Sequence, residues 1–112
     1  MEILAAVGAL SALAHESRLG IYRLLVEAGP KGMTVGHIAE KLEMPGATLS
    51  FHLSQLHHAG LVTAQRTGRQ LIQTVDFSRM NGLVGYLTEN CCGGDMSACA
   101  PVVKNTKKKK CA

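Results

Sequence analysis

M-T-V-G-H-I-A-E-K-L-E-M-P-G-A-T-L-S-F-H-L-S-Q-L-H-H-A-G-L-V (residues 33–62) spells two short helices joined by a tight turn. In the first, Val35, Ile38, Ala39 and Leu42 fall at i, i+3, i+4 and i+7 and make one apolar stripe, with Thr34 ahead of them as N-cap. Glu43-Met44-Pro45 breaks the pattern, because a residue before proline is pushed out of the α region. Pro45 can open the second helix, where a missing N–H costs nothing. There Leu49, Leu53 and Leu56 repeat at i, i+4 and i+7, and Gly60 supplies the stop. Ala47, Thr48, Phe51, Ser54, Gln55 and His58 point away from the leucines, with Ser50 at the edge. This outward face is small, polar and free of acids, so it can approach a phosphate backbone closely. It suits a helix-turn-helix whose second helix enters a DNA major groove. The periodicity alone equally fits an αα-hairpin inside a helical bundle.

The flanks separate the two. Upstream, Ile3, Leu4, Val7, Leu10 and Leu13 form an amphipathic stripe, and a second helix runs from about His15–Ser17 to Glu27 before the breaker Ala28-Gly29-Pro30-Lys31-Gly32. Downstream, the period shifts toward 2. Leu61 to Thr67 and Gln70 to Val75 read as strands around Thr67-Gly68-Arg69, a β-hairpin with Arg66 and Arg69 flanking its tip. From Asp76 to about Glu89 a last helix carries Met80, Leu83, Val84 and Leu87 on one face. Helix, helix, helix-turn-helix, hairpin, helix is the order of a winged helix, mainly α with a β-hairpin. The arginines at the hairpin tip are placed for phosphates or a minor groove. Residues 1–90 are read as the DNA-binding and dimerisation domain, and residues 91–112 as a cysteine-containing sensing segment with a disordered, lysine-rich tail.

The 112 residues carry a formal charge of +4, but Lys104 and Lys107 to Lys110 supply five of the 12 basic residues. The rest holds seven basic against eight acidic side chains, so a nucleic-acid surface must come from local placement. No segment has the length of a membrane span, and the N-terminal M-E-I-L-A-A-V lacks the basic region of a signal peptide, so the expected location is the cytoplasm. In that reducing compartment Cys91, Cys92, Cys99 and Cys111, all within the last 22 residues, point to metal or redox chemistry rather than a disulfide framework. An enzyme is not expected: no residue set offers nucleophile, base and orienting partner.

A-L-A-H-E-S-R-L-G-I-Y-R-L-L (12–25), A-T-L-S-F-H-L-S-Q-L-H-H-A-G-L-V (47–62) and R-T-G-R-Q (66–70) resemble the ArsR/SmtB family of metal-responsive repressors, over roughly residues 4 to 90. The resemblance implies a homodimer built on the first and last helices, which binds an inverted-repeat operator and leaves it when an inducer binds. It implies DNA contacts from Ala47, Thr48, Ser50, Phe51, Ser54 and Gln55, and wing contacts from Arg66 and Arg69. No cofactor is expected for DNA binding. Two departures matter: Pro45 stands where the family often has a serine cap, and Gly46 where a glutamine often reaches a base. Phe51 offers no hydrogen bond to a base edge, only apolar contact such as a thymine methyl.

Relatives place their sensing sites differently. One arsenic-sensing type has cysteines where this chain reads Thr34-Val35-Gly36, and a zinc-sensing type uses histidines in the last helix, whereas here no histidine follows His58. What remains is Cys91, Cys92 and Cys99, three soft thiolates, with Gly93-Gly94 free to fold the third back onto the pair. Zinc prefers four closed ligands, which only Cys111 or Asp95 could complete. Arsenite, and by the same chemistry antimonite, suits three sulfurs in a trigonal pyramid, and some family members resemble this arrangement. As(III), with Sb(III) second, is therefore the expected inducer. Redox sensing or another soft metal is the alternative, and a thiol metal-buffering protein a more distant one. His52 is expected to pack and hydrogen-bond, and His57-His58 to be solvated or near phosphate.

Overall fold

The computed structural model describes residues 1–89: α1 (Ile3–Leu13), α2 (Glu16–Ala28), a 3-10 turn (Gly29–Lys31), β1 (Met33–Thr34), α3 (Val35–Leu42), α4 (Gly46–His58), β2 (Val62–Thr67), β3 (Gln70–Val75) and α5 (Phe77–Leu87). The mainly helical winged helix-turn-helix expected from the sequence is the fold observed. α2 is central, packing on α1, α3, α4 and β3 through the buried Ile21, Tyr22 and Leu25.

Local chemistry sets the boundaries. The Thr34 hydroxyl accepts from the His37 N–H at 3.2 Å and starts α3. α3 ends with Glu43 in the left-handed region at φ 51° and Met44 N–H donating to the Ala39 carbonyl, a Schellman closure built without glycine. Pro45 lies one position outside the expectation: it is the N-cap, and Gly46 is the first helical residue. At the far end of α4 Gly60, at φ 79°, lets Leu61 N–H reach the Leu56 carbonyl at 3.0 Å. Asp76 caps α5 by accepting from Arg79 N–H at 3.1 Å.

The sheet has three strands in the order β1-β3-β2, all antiparallel, so β1 adds an edge to the expected hairpin by pairing Met33 with Gln73 and Thr34 with Ile72. Two residues are too short for a periodicity signal. The pairing depends on Gly32, at φ 63°, where a Cβ would run into the Gln73 carbonyl oxygen and the side chains of Ile72 and Thr74. A second departure concerns α1. Its core side is Ala6, Ala9 and Ala12, while Ile3, Leu4, Val7 and Leu10 of the expected stripe lie exposed. Alanine lets α1 sit close against α2 and α4, and the bulkier side chains face outward. α5 repeats this division, burying Leu83 and exposing Val84 and Leu87. Among the described residues no helix is long and apolar enough to cross a membrane.

Two substitutions test this packing. Gly32→Ala combines a left-handed backbone with overpacking and is expected to cost about 3 kcal/mol or more, lowering Tm by about 10 °C or more. Gly36→Ala in α3, where a Cβ meets open space, should leave Tm unchanged or slightly raised. The buried Tyr22 hydroxyl has no hydrogen-bond partner among the described residues, and burial, with Asp76 nearby, pushes its pKa up to about 12. Tyr22→Phe removes that orphan group and should be neutral or stabilising by about 1 kcal/mol in denaturant unfolding, where a loss of that size would show a missed partner.

Candidate nucleic-acid interface

α4 is rotated about its axis by its leucines. Leu49 and Leu56 are fully buried and Leu53 nearly so, which turns Ala47, Thr48, Ser50, Phe51, Ser54, Gln55 and His58 to solvent. From Met44 to Val75, spanning α4 and the whole hairpin, there is no acidic residue. The N-terminus of α4 has no side-chain cap, because Pro45 has none to offer. Its first amides and the positive end of the helix dipole therefore stay open to an anion such as a backbone phosphate. Gly46 adds no side chain to hinder that approach.

The hairpin stands beside this face. Thr67 pairs with Gln70, leaving Gly68 (φ 64°) and Arg69 as the two-residue turn, with Arg66 two positions before it. Both arginines are exposed, Arg69 in the turn itself rather than beside it. The cross-strand pair Thr63–Thr74, hydroxyls 3.1 Å apart, ties the base of the wing.

Two polar ties and one steric contact hold this face in place, and none had a sequence signal strong enough to assign it. Arg18 of α2 donates from Nε to the Ala12 carbonyl at the end of α1 (2.6 Å), and its Nη1 lies 3.4 Å from His52 Nδ1 on α4. His15 packs its ring on His52, centroids 4.7 Å apart, while its Nδ1 accepts from Ser17 N–H to start α2. His57 Nε2 lies 2.7 Å from the side-chain oxygen of Gln73, a buried residue at the centre of the middle strand. His57 is thus a strut between α4 and the wing, more enclosed than the solvated position expected, and His58 alone is exposed. The third tie is steric: the Arg79 guanidinium of α5 lies over Gly60 at the end of α4. His52 is packed and hydrogen-bonded as expected.

Cys91, Cys92, Cys99 and Cys111, with the lysine tail, lie outside the described residues. Among the described residues no three His, Cys, Asp or Glu side chains are grouped to hold a metal ion.

The His52 environment has a pH signature. Burial first, then His15 and Arg18, hold its pKa below the ordinary 6.5. Above that value His52 is neutral folded and unfolded. As pH falls below it, the unfolded chain takes the proton first, so stability is lost from there down to the folded pKa. Thermal unfolding between pH 7.5 and 5 is expected to fall more steeply for the wild type than for His52→Gln. Parallel pH profiles would remove His52 as the cause.

A sequence model for a helix-turn-helix domain matches residues 13–65. A Halobacterium salinarum protein provisionally named an arsenical resistance operon repressor, ArsR, is 43% identical over 63 residues, 56% of this chain and 48% of its own. The chain spans about half the length of the curated relatives it matches. Among solved structures, NolR from Sinorhizobium fredii is 33% identical with TM-score 0.60, covering 78% of this chain and 84% of its own. A homodimeric winged helix-turn-helix DNA-binding domain from Mycobacterium bovis, described as an ArsR-family candidate, is 28% identical with TM-score 0.62, covering 79% of this chain and 82% of its own. Motif, fold and relatives agree: the chain belongs to the ArsR/SmtB family of winged helix-turn-helix transcriptional regulators.

Proposed function

We propose that this chain is a repressor that binds an inverted-repeat operator as a homodimer and releases it when trivalent arsenic is captured by Cys91, Cys92 and Cys99. The observation that carries the DNA-binding part is the acid-free run from Met44 to Val75, with its exposed small face on α4 and its two wing arginines. Dimerisation is supported by the exposed Ile3, Leu4, Val7 and Leu10 of α1 and Val84 and Leu87 of α5, more uncovered apolar surface than two short helices keep without a partner. The homodimeric Mycobacterium bovis domain agrees. A two-fold dimer presents its recognition helices to successive major grooves about one DNA turn apart.

The inducer is argued from chemistry and position. Three thiols follow α5 closely, Cys91 being four residues beyond Leu87. Three sulfurs and no nearby histidine suit As(III), with Sb(III) second, better than zinc. The name of the Halobacterium relative points the same way. Drawing the segment after α5 onto the metalloid would change the angle between subunits and spoil the spacing of the recognition helices, provided arsenic binds the DNA-free form more tightly.

The test is fluorescence anisotropy with an inverted-repeat operator, titrated in turn with arsenite, antimonite, methylarsenite, zinc and peroxide. Arsenite should lower operator affinity about 5- to 150-fold, the usual range of such coupling, and Cys92→Ser should abolish the response. Operator affinity unchanged at saturating arsenite would end the arsenic reading, and release by peroxide alone would make the thiols a redox switch. Absence of DNA binding at any salt concentration would leave a thiol metal-buffering protein.

A further inference from the structure

Hydrogen-bond readout leaves Phe51 unexplained. It is a large apolar residue, 58% exposed, in the middle of the proposed DNA-facing surface. On a helix its surface neighbours are Ala47 and Thr48 one turn back and Ser54 and Gln55 one turn on. All but Gln55 are small, and Gly46 adds nothing, so the ring is the tallest rigid feature of the face.

The ring is also backed by buried structure. It sits edge-on to His52, centroids 5.6 Å apart at 61°. His52 is 7% exposed and held by Arg18, which is bonded in turn to the Ala12 carbonyl. Phe51 therefore stands on a series of fixed groups running into α1 and α2.

We propose that Phe51 is the specificity-determining residue of each half-site, reading the 5-methyl group of one thymine in the major groove. This rests on the DNA-binding reading above and adds the chemistry of the site recognised. A phenyl ring placed against a base edge gains only if it meets an apolar group, and the thymine methyl is the one apolar group the four bases offer in the major groove. The hydroxyls of Thr48, Ser50 and Ser54 bond phosphates or several bases and discriminate little. Gln55 can bond adenine at N6 and N7, and with Phe51 one turn away the two favour an A·T-containing half-site.

The experiment selects full-length protein, wild type and Phe51→Ala, on a pool of double-stranded DNA with randomised half-sites. Each thymine of the wild-type consensus is then replaced by deoxyuridine, which removes only the methyl. One thymine per half-site should be sensitive, losing about fourfold in affinity per half-site, what burying a single methyl is worth. At the same position 5-methylcytosine should bind better than cytosine. Phe51→Ala, at an exposed helical site, should fold by circular dichroism, keep its salt dependence and ignore the deoxyuridine change. The inference is overturned if no thymine methyl matters to the wild type, or if Phe51→Ala keeps the same sensitivity, which would assign the ring to a protein contact. If the wild type enriches no DNA, the DNA-binding reading itself fails, and this assignment with it.

Discussion

The burial of three leucines on α4 is the constraint on which the rest depends. Leu49, Leu53 and Leu56 enter a core supplied by α2, α3 and the start of β2. A helix held by one stripe has no freedom to roll, because a rotation that exposed Leu49 or Leu56 would give up roughly 1.5–3 kcal/mol per side chain. The outward face is therefore set by what lies inside. Its composition can vary widely as long as the leucines remain, so one scaffold can carry many recognition surfaces.

Hydrophobic burial fixes rotation but not the fine position of the ends, and two polar ties and one steric contact supply that. Arg18 joins the last turn of α1 to the middle of α4, the His57–Gln73 bond joins the last turn of α4 to the sheet, and Arg79 brings the first turn of α5 onto the residue that ends α4. All three converge on α4, from different elements. A disturbance at α1 or α5 has a short physical route to the helix proposed to touch DNA. The first turn of α5 is anchored by Asp76 and Arg79, whereas its last residue, Leu87, is exposed. α5 is thus held at the end near α4 and less enclosed at the end near the cysteines.

Much of this was legible in the residues. The stripes of α3 and α4, the Thr34 cap, the Gly60 stop and the Thr67–Arg69 turn each rest on a local rule about period or backbone, and each appears within a residue or so of its expected place. What was not legible depends on distant partners. β1 exists because Gly32 lets the chain approach β3, and a two-residue strand carries no pattern of its own. In α1 both faces are apolar, so periodicity found the larger side chains while packing selected the alanines, a choice made by the distance to neighbouring helices. His57 looked like half of a solvated pair until the fold brought Gln73 beside it. The outward residues of α4 were legible as a set because the leucines define them by exclusion. The cysteines were legible as chemistry alone, since thiol softness is a property of the residue and needs no fold.

The alanine side of α1 bears on how such a chain behaves in a cell. A helix that places its smallest residues inward contributes little area to its own subunit, while Ile3, Leu4, Val7 and Leu10 wait outside. If a second copy provides their cover, as proposed above, then subunit stability follows mass action and rises with the concentration of the chain itself. Scarce copies would spend more time opened, within reach of proteases, and abundant copies would protect one another. Gene dosage and protein lifetime would then be linked by the choice of alanine over leucine at three positions of one helix.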